Sequence, residues 1–226
     1  MGQFRRNLVS FAASAGQRVK GAIAVLTQDP VSETGIVQRI EHWAAKDGDR
    51  VFVLFEKERL SYREMAARIA RRSATLAKEG VKRGDSVVLM MSNHPAFLVN
   101  AWAIARLGAV ATLINTNLTG ASLRHALLST KPRLFLVGRE FIGTVLEALE
   151  GESARLLWEE TRPAAEGSST ADAAPPELEL PRLDAEVRDA PRAVITRGDD
   201  LYVYIFTSGT TGLPKAGRIS HARSMT

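Results

Sequence analysis

The chain has 226 residues, of which 45 % are hydrophobic and 24 % charged, an ordinary globular balance with room for a sizeable core. It contains no cysteine, which excludes disulfides and thiolate metal sites and fits a reducing compartment. Thirty Lys and Arg against twenty-five Asp and Glu give a net charge of +5, and these basic residues are scattered apart from Arg68, Arg71, Arg72 and Lys78. Without an aromatic-interleaved basic patch or a zinc-finger spacing, nucleic acid is not an expected partner.

Residues 1–35 read as an N-terminal extension. Arg5 and Arg6 precede a mildly apolar stretch that Gln17, Arg18 and Lys20 interrupt, too broken for a spanning helix or a clear cleavable signal. Two readings stay open for it: an amphipathic helix on a membrane surface, and a helix packed on the protein's own body. The expected location is cytoplasmic, with membrane association left open.

From Ile36 to Ala45 the spacing predicts a helix, and Val51 to Glu56 a strand. Glu56 to Arg59 is expected to turn. Ser61 and Glu64 then form an S-x-x-E capping box, and Met65, Ile69 and Leu76 recur at helical spacing until Gly80. Ser86 to Met91 lacks alternation and predicts a strand buried on both faces. Pro95 suits a first helical position, and Phe97 to Leu107 is a strongly apolar helix closed by Gly108. Val110 to Ile114 predicts a strand, Thr119 caps a helix to Ser129, Leu134 to Val137 is a strand and Phe141 to Leu149 a helix. Such alternation specifies a layered α/β domain with a parallel-rich sheet and crossover helices. Thr161 to Asp184 is rich in Pro, Ala, Ser and Glu without periodicity, and reads as a flexible insertion within one domain over residues 36–226.

The most informative stretch lies near the end. Leu201 to Phe206 is β-branched and aromatic, a strand, and T-S-G-T-T-G-L-P-K follows it from Thr207 to Lys215. Glycine permits positive φ and close backbone approach, and successive N–H groups in such a turn cradle anions. The hydroxyls of Thr207, Ser208, Thr210 and Thr211 add neutral donors, and Lys215 adds a mobile cation. Gly209 and Gly212 are three apart and Pro214 precedes the lysine, so the spacing is not that of the Walker loop. Proline also prevents a helix from running through Lys215, so a flap between two strands is expected, its partner strand starting at or beyond Ala216.

This loop resembles the phosphate loop of the adenylate-forming (AMP-binding) enzymes: acyl-CoA synthetases, luciferases and peptide-synthetase adenylation domains. The S-Y-x-E helix start at Ser61 is similar to the same enzymes. I-N-T-N-L at Ile114 to Leu118 and A-G-R-I-S-H-A-R at Ala216 to Arg223 resemble the very-long-chain acyl-CoA synthetase, or fatty-acid transport protein, branch. The resemblance implies the incomplete N-terminal part of the large adenylate-forming domain. It implies a fatty acid–CoA ligase that uses ATP, Mg2+ and coenzyme A, with Thr207, Ser208, Gly209, Thr210, Thr211, Gly212 and Lys215 on the nucleotide phosphates. It places no catalytic residue and no metal ligand within this chain. On that footing the chain is expected to be a fragment with little activity alone and with a sheet edge left exposed beside the loop. A reading from another class is a non-catalytic nucleotide- or lipid-binding module that partners a full-length synthetase. His42, His94, His125 and His221 show no mutual metal-ligand spacing. His221 follows the loop and is placed near it, without the role of a base.

Overall fold

A computed structural model describes residues 35–161, 190–207 and 212–224. The N-terminal extension and the Thr161 to Asp184 insertion fall almost wholly outside these residues. Helix α1 (Ile36–Lys46) leads into strands β1 (Val51–Phe55) and β2 (Glu58–Ser61), which pair antiparallel as a hairpin. The turn expected over Glu56 to Arg59 is therefore tighter, and β2 is an element that the sequence did not suggest. Its four residues, Glu-Arg-Leu-Ser, have weak strand propensity and are recruited by backbone pairing to β1.

Helix α2 (Tyr62–Lys78) starts at the expected capping box. The Ser61 hydroxyl accepts from the Glu64 amide at 3.2 Å, and the Glu64 carboxylate accepts from the Ser61 amide at 2.8 Å. These bonds to Ser61 hold the Glu64 carboxyl below its usual range. The chain then alternates: β3 (Ser86–Met90), α3 (Pro95–Arg106), β4 (Val110–Leu113), α4 (Gly120–Leu128), β5 (Leu134–Gly138), a short 3-10 turn, α5 (Ile142–Ala148) and β6 (Leu156–Glu159). Pro95 stands in the first turn of α3 as expected. Thr119 is the N-cap residue of α4, but its side chain makes no capping hydrogen bond. Strand β6 was not foreseen, because L-L-W-E is too short to show a period.

After residue 190 the chain crosses the N-terminal end of the sheet and enters β7 (Leu201–Thr207). Strand β8 (Lys215–Ser220) returns antiparallel, and the four-residue α6 (His221–Ser224) follows. The six described strands of the main sheet lie in the order β6-β5-β3-β4-β7-β8, with every pair parallel except the last. The partner strand expected beyond the loop is β8. It leaves β7 paired on both sides and is itself one edge strand, with β6 the other, among the described residues.

Alternate residues of each central strand serve different layers. Val87 and Leu89 of β3 and Leu134 and Leu136 of β5 pack with α1, α2 and α3. Val88, Met90, Phe135 and Val137 face α4 and α5 on the other side. All five residues of β3 are buried, the signature of a strand covered on both faces. The β1–β2 hairpin joins the first layer through rings: Phe52 stacks on Tyr62 at 4.3 Å and approaches Trp102 of α3 at 5.7 Å.

Arg106 ties this layer to the returning chain. It is 9 % exposed, and its guanidinium donates to Glu41 at 3.0 Å, to Ser73 at 3.1 Å and to the Pro191 carbonyl. Its own carbonyl accepts from the Val194 amide at 2.9 Å. Replacing Arg106 by alanine removes a shared donor from three partners. The expected cost is about 2–3 kcal/mol, read as a lower urea midpoint at unchanged m-value.

Candidate functional site

In an open parallel sheet, ligands bind at the carboxyl ends of the strands, where neighbouring strands send their connections in opposite directions. Here β3 connects through α3 to β4 on one side of itself, and β4 connects through α4 back across to β5 on the other. A cleft of about 1360 Å³ opens at that end, lined by Met91 and Ser92 after β3, Leu113 to Thr116 at the end of β4, Ile205 and Phe206 of β7, and Phe55 to Glu58 from the first hairpin.

Two lining residues, Ser92 and Thr161, are held from behind by Glu140, which the sequence reading passed over. Its carboxylate accepts from the Ser92 amide at 3.2 Å and from the Thr161 hydroxyl at 2.6 Å. Burial pushes this carboxyl up, but the hydrogen bonds from Thr161 and Ser92 pull harder and leave it below the usual range. His94 lines the cleft as the N-cap of α3. Its Nδ1 accepts from the Ala96 amide at 3.2 Å, so the proton of the neutral ring resides on Nε2, and its ring meets Phe55 edge-on at 5.3 Å. Asn115 accepts through its side chain from the Asn117 amide at 2.9 Å, a local turn of the kind its residue type suggests. Glu140 and His94 carried no spacing signal, because they come from separate loops; Asn115 stands in the I-N-T-N-L stretch noted in the sequence.

The phosphate-loop candidates are described at their two ends. Thr207 closes β7 directly after the cleft-lining Phe206, and it is in register with Lys215, the first residue of β8. The structure thus brings Thr207 and Lys215 together at the rim of the cleft, both exposed. Gly212 has φ +136°, a backbone that side-chain-bearing residues rarely adopt, and open space where a side chain would stand. Ser208, Gly209, Thr210 and Thr211 lie outside the described residues. An antiparallel turn between two strands is the flap form expected from Pro214. Leu213, 47 % exposed, and Ile205, 43 % exposed, are apolar residues beside it.

His221 corrects its expected placement. It follows β8, whose last residue pairs with Leu201 at the start of β7. That puts it a full strand length, about 20 Å, from the loop. Chain proximity misled here because a six-residue strand intervenes. His221 is 1 % exposed and its ring lies 4.8 Å from that of Tyr202.

Among the described residues no group of three or more His, Cys, Asp or Glu side chains could hold a metal ion, so no step is assigned to one here. Among the same residues no helix is long and apolar enough to cross a membrane.

An open, mostly parallel α/β sheet with a cleft at its strand ends and a glycine-bearing hairpin at the rim is an architecture that binds ligands at the carboxyl ends of its strands. The chain belongs to the AMP-binding enzyme family, whose model matches residues 40–226. It is 31 % identical over 210 residues to the medium/long-chain-fatty-acid–CoA ligase FadD6 of Mycobacterium tuberculosis, covering 91 % of this chain and 32 % of that protein. It is 32 % identical to the human long-chain fatty acid transport protein 6, covering 78 % of this chain and 28 % of that one. Among solved structures, the anthranilate CoA ligase AuaEII with anthranoyl-AMP superposes with a TM-score of 0.69 at 20 % identity, covering 84 % of this chain and 35 % of that one. The chain thus spans about a third of the length of the curated relatives it matches, and the shared fold is that of the N-terminal part of an adenylate-forming domain.

The balance at Glu140 has a measurable acid signature. A carboxyl lowered in the folded state adds stability that is complete above its ordinary pKa and is lost as pH falls through the folded value. Below pH about 4.5 the urea midpoint of the wild type should fall. Glu140→Gln, which cannot titrate, should show a smaller acid-side decline from a lower starting point.

Proposed function

We propose that this chain supplies the phosphate-gripping part of a fatty acid–CoA ligase. In the first step a fatty carboxylate oxygen attacks the α-phosphorus of ATP. The bond from that phosphorus to the bridging oxygen breaks, and pyrophosphate leaves. In the second, the thiolate of coenzyme A attacks the acyl carbon of the adenylate and AMP leaves. The proposed enzyme is an ATP-dependent acid–thiol ligase of the long- or very-long-chain class, within the fatty-acid transport protein branch.

Carboxylate and triphosphate repel each other, so an enzyme for the first step must hold the outer phosphates still and share the charge of the departing pyrophosphate. We assign this to the backbone and hydroxyl donors of Thr207, Ser208, Gly209, Thr210, Thr211 and Gly212, with Lys215 as the mobile cation. Magnesium, also proposed, would neutralise phosphate charge when it accompanies ATP. The single observation that carries the reading is the register of Thr207 with Lys215 at the rim of the cleft, which sets the loop's two ends beside the apolar Ile205 and Phe206. Lys215 carries no ion pair among the described residues, so its charge is available to a ligand.

Fatty over aromatic acids is favoured by the long-chain relatives on the one hand and by I-N-T-N-L and A-G-R-I-S-H-A-R on the other. The test uses a fluorescent N-methylanthraniloyl ATP titrated against the purified chain. Lys215→Ala should weaken its binding about tenfold, the loss of one charged contact. Gly212→Ala should weaken it as well, by straining the turn. Binding indifferent to both changes would remove the phosphate-loop assignment. Complemented with the C-terminal portion of a ligase, the chain is expected to restore thioester formation from ATP, coenzyme A and palmitate, and Lys215→Ala to weaken it; no recovery would count against the ligase reading.

A further inference from the structure

At the end of the sheet opposite the cleft, three polar side-chain atoms converge on one glycine. Gly35 is the N-cap residue of α1, which has no side-chain capping hydrogen bond. A Cβ built on it would stand 2.4 Å from Thr196 Oγ1, 2.6 Å from Gln38 Oε1 and 3.4 Å from His221 Nδ1. Each of those three atoms is buried without a hydrogen-bond partner among the described residues. Thr196 is 2 % exposed and His221 1 %. Gly35 has φ −84° and ψ 172°, a backbone open to any residue, so glycine is needed there for space and not for conformational freedom.

Folded chains seldom keep even one buried polar atom unpaired, and three around one point mark a shared partner. The chemistry suits a water molecule. The Gln38 amide nitrogen is committed to the Val194 carbonyl at 3.1 Å, which leaves Oε1 as an acceptor only. The Thr196 hydroxyl donates or accepts. A neutral imidazole with its proton on Nε2 accepts at Nδ1. One water can take the Thr196 proton donor and give its own two hydrogens to Gln38 and His221.

We propose that Gln38, Thr196 and His221 form a latch, closed by one bridging water over Gly35, that fastens the start of α1 to the foot of the β7–β8 hairpin and so positions the loop at the hairpin's other end. Only its consequence for nucleotide binding rests on the phosphate-loop reading. His221 is the switchable member. From the turn before β7 the facing acid is Asp200, whose carboxylate is already shared by Arg83 at 2.8 Å and the Arg197 amide at 2.9 Å. From β7 the facing group is Tyr202, whose hydroxyl burial pushes up to about 12, so it stays neutral. From α1 it is the positive end of the helix dipole. Burial holds His221 below its ordinary range, and Asp200 pulls only partly back. The latch is therefore closed at neutral pH. It opens as pH falls below about 6.5 and through the lowered value, because a protonated Nδ1 donates instead of accepting.

Hydrogen exchange of the whole chain at pH 7.5 and 5.5, corrected for intrinsic rates, tests this. Wild-type β7 and β8 should lose several-fold protection at the lower pH. Thr196→Val, which removes one hydroxyl at nearly constant volume, should show that loss already at pH 7.5. His221→Phe keeps a ring on Tyr202 and should make hairpin exchange independent of pH. Equal protection in wild type and Thr196→Val, or an undiminished acid response in His221→Phe, would overturn the latch. If His221→Phe does not fold, the Thr196→Val comparison decides alone. Fluorescent ATP affinity that tracks hairpin protection supports the coupling to the loop. Affinity that ignores it, with the exchange result intact, breaks that coupling and leaves the phosphate-loop reading to its own Lys215 test.

Discussion

The central constraint on this molecule is that β3 is covered on both faces. A strand whose five residues are all buried must find apolar partners above and below, so the chain has to place helices on both sides of the sheet. Parallel strands cannot be joined by a tight turn, and the crossover helices α3 and α4 supply both the connection and the cover. Once β4 lies on one side of β3 and β5 on the other, the two crossovers diverge. The ends of β3 and β4 are then left facing open space. The cleft is the geometric residue of that divergence, and its lining comes from whatever residues happen to follow the strands.

The β7–β8 hairpin obeys a different rule. β7 joins the parallel set beside β4, while β8 runs back against it. The turn between them is thus carried at the cleft end, and the foot of the hairpin at the opposite end, among α1, the returning chain and His221. The segment that crosses under the sheet is anchored by Arg106 to Val194 and by Gln38 to the Val194 carbonyl.

Much of this was legible without coordinates because the signals are local. An unbroken apolar run of strand length, a Ser-x-x-Glu box and a proline at a helix start each act within one turn or one strand, and the structure keeps all three. The glycines, hydroxyls and lysine from Thr207 to Lys215 are contiguous, so their chemistry can be read from the sequence in the same way. Elements β2 and β6 were not legible, because four-residue strands exist only by pairing with β1 and β5. Glu140, Ser92 and Thr161 were not, because three distant segments meet at one carboxylate. His221 was misplaced because closeness in the chain was taken for closeness in space.

What the amino-acid order determined alone is the longer helices and strands, their sequence along the chain and the chemical character of the loop, all set by interactions spanning a few residues. Only tertiary structure decided that β5 lies beside β3 and not beside β4, which end of the sheet holds the cleft, and which buried polar atoms meet over Gly35. Those choices depend on contacts between residues dozens of positions apart, where strand pairing and the packing of two helix layers, rather than local propensity, select the arrangement.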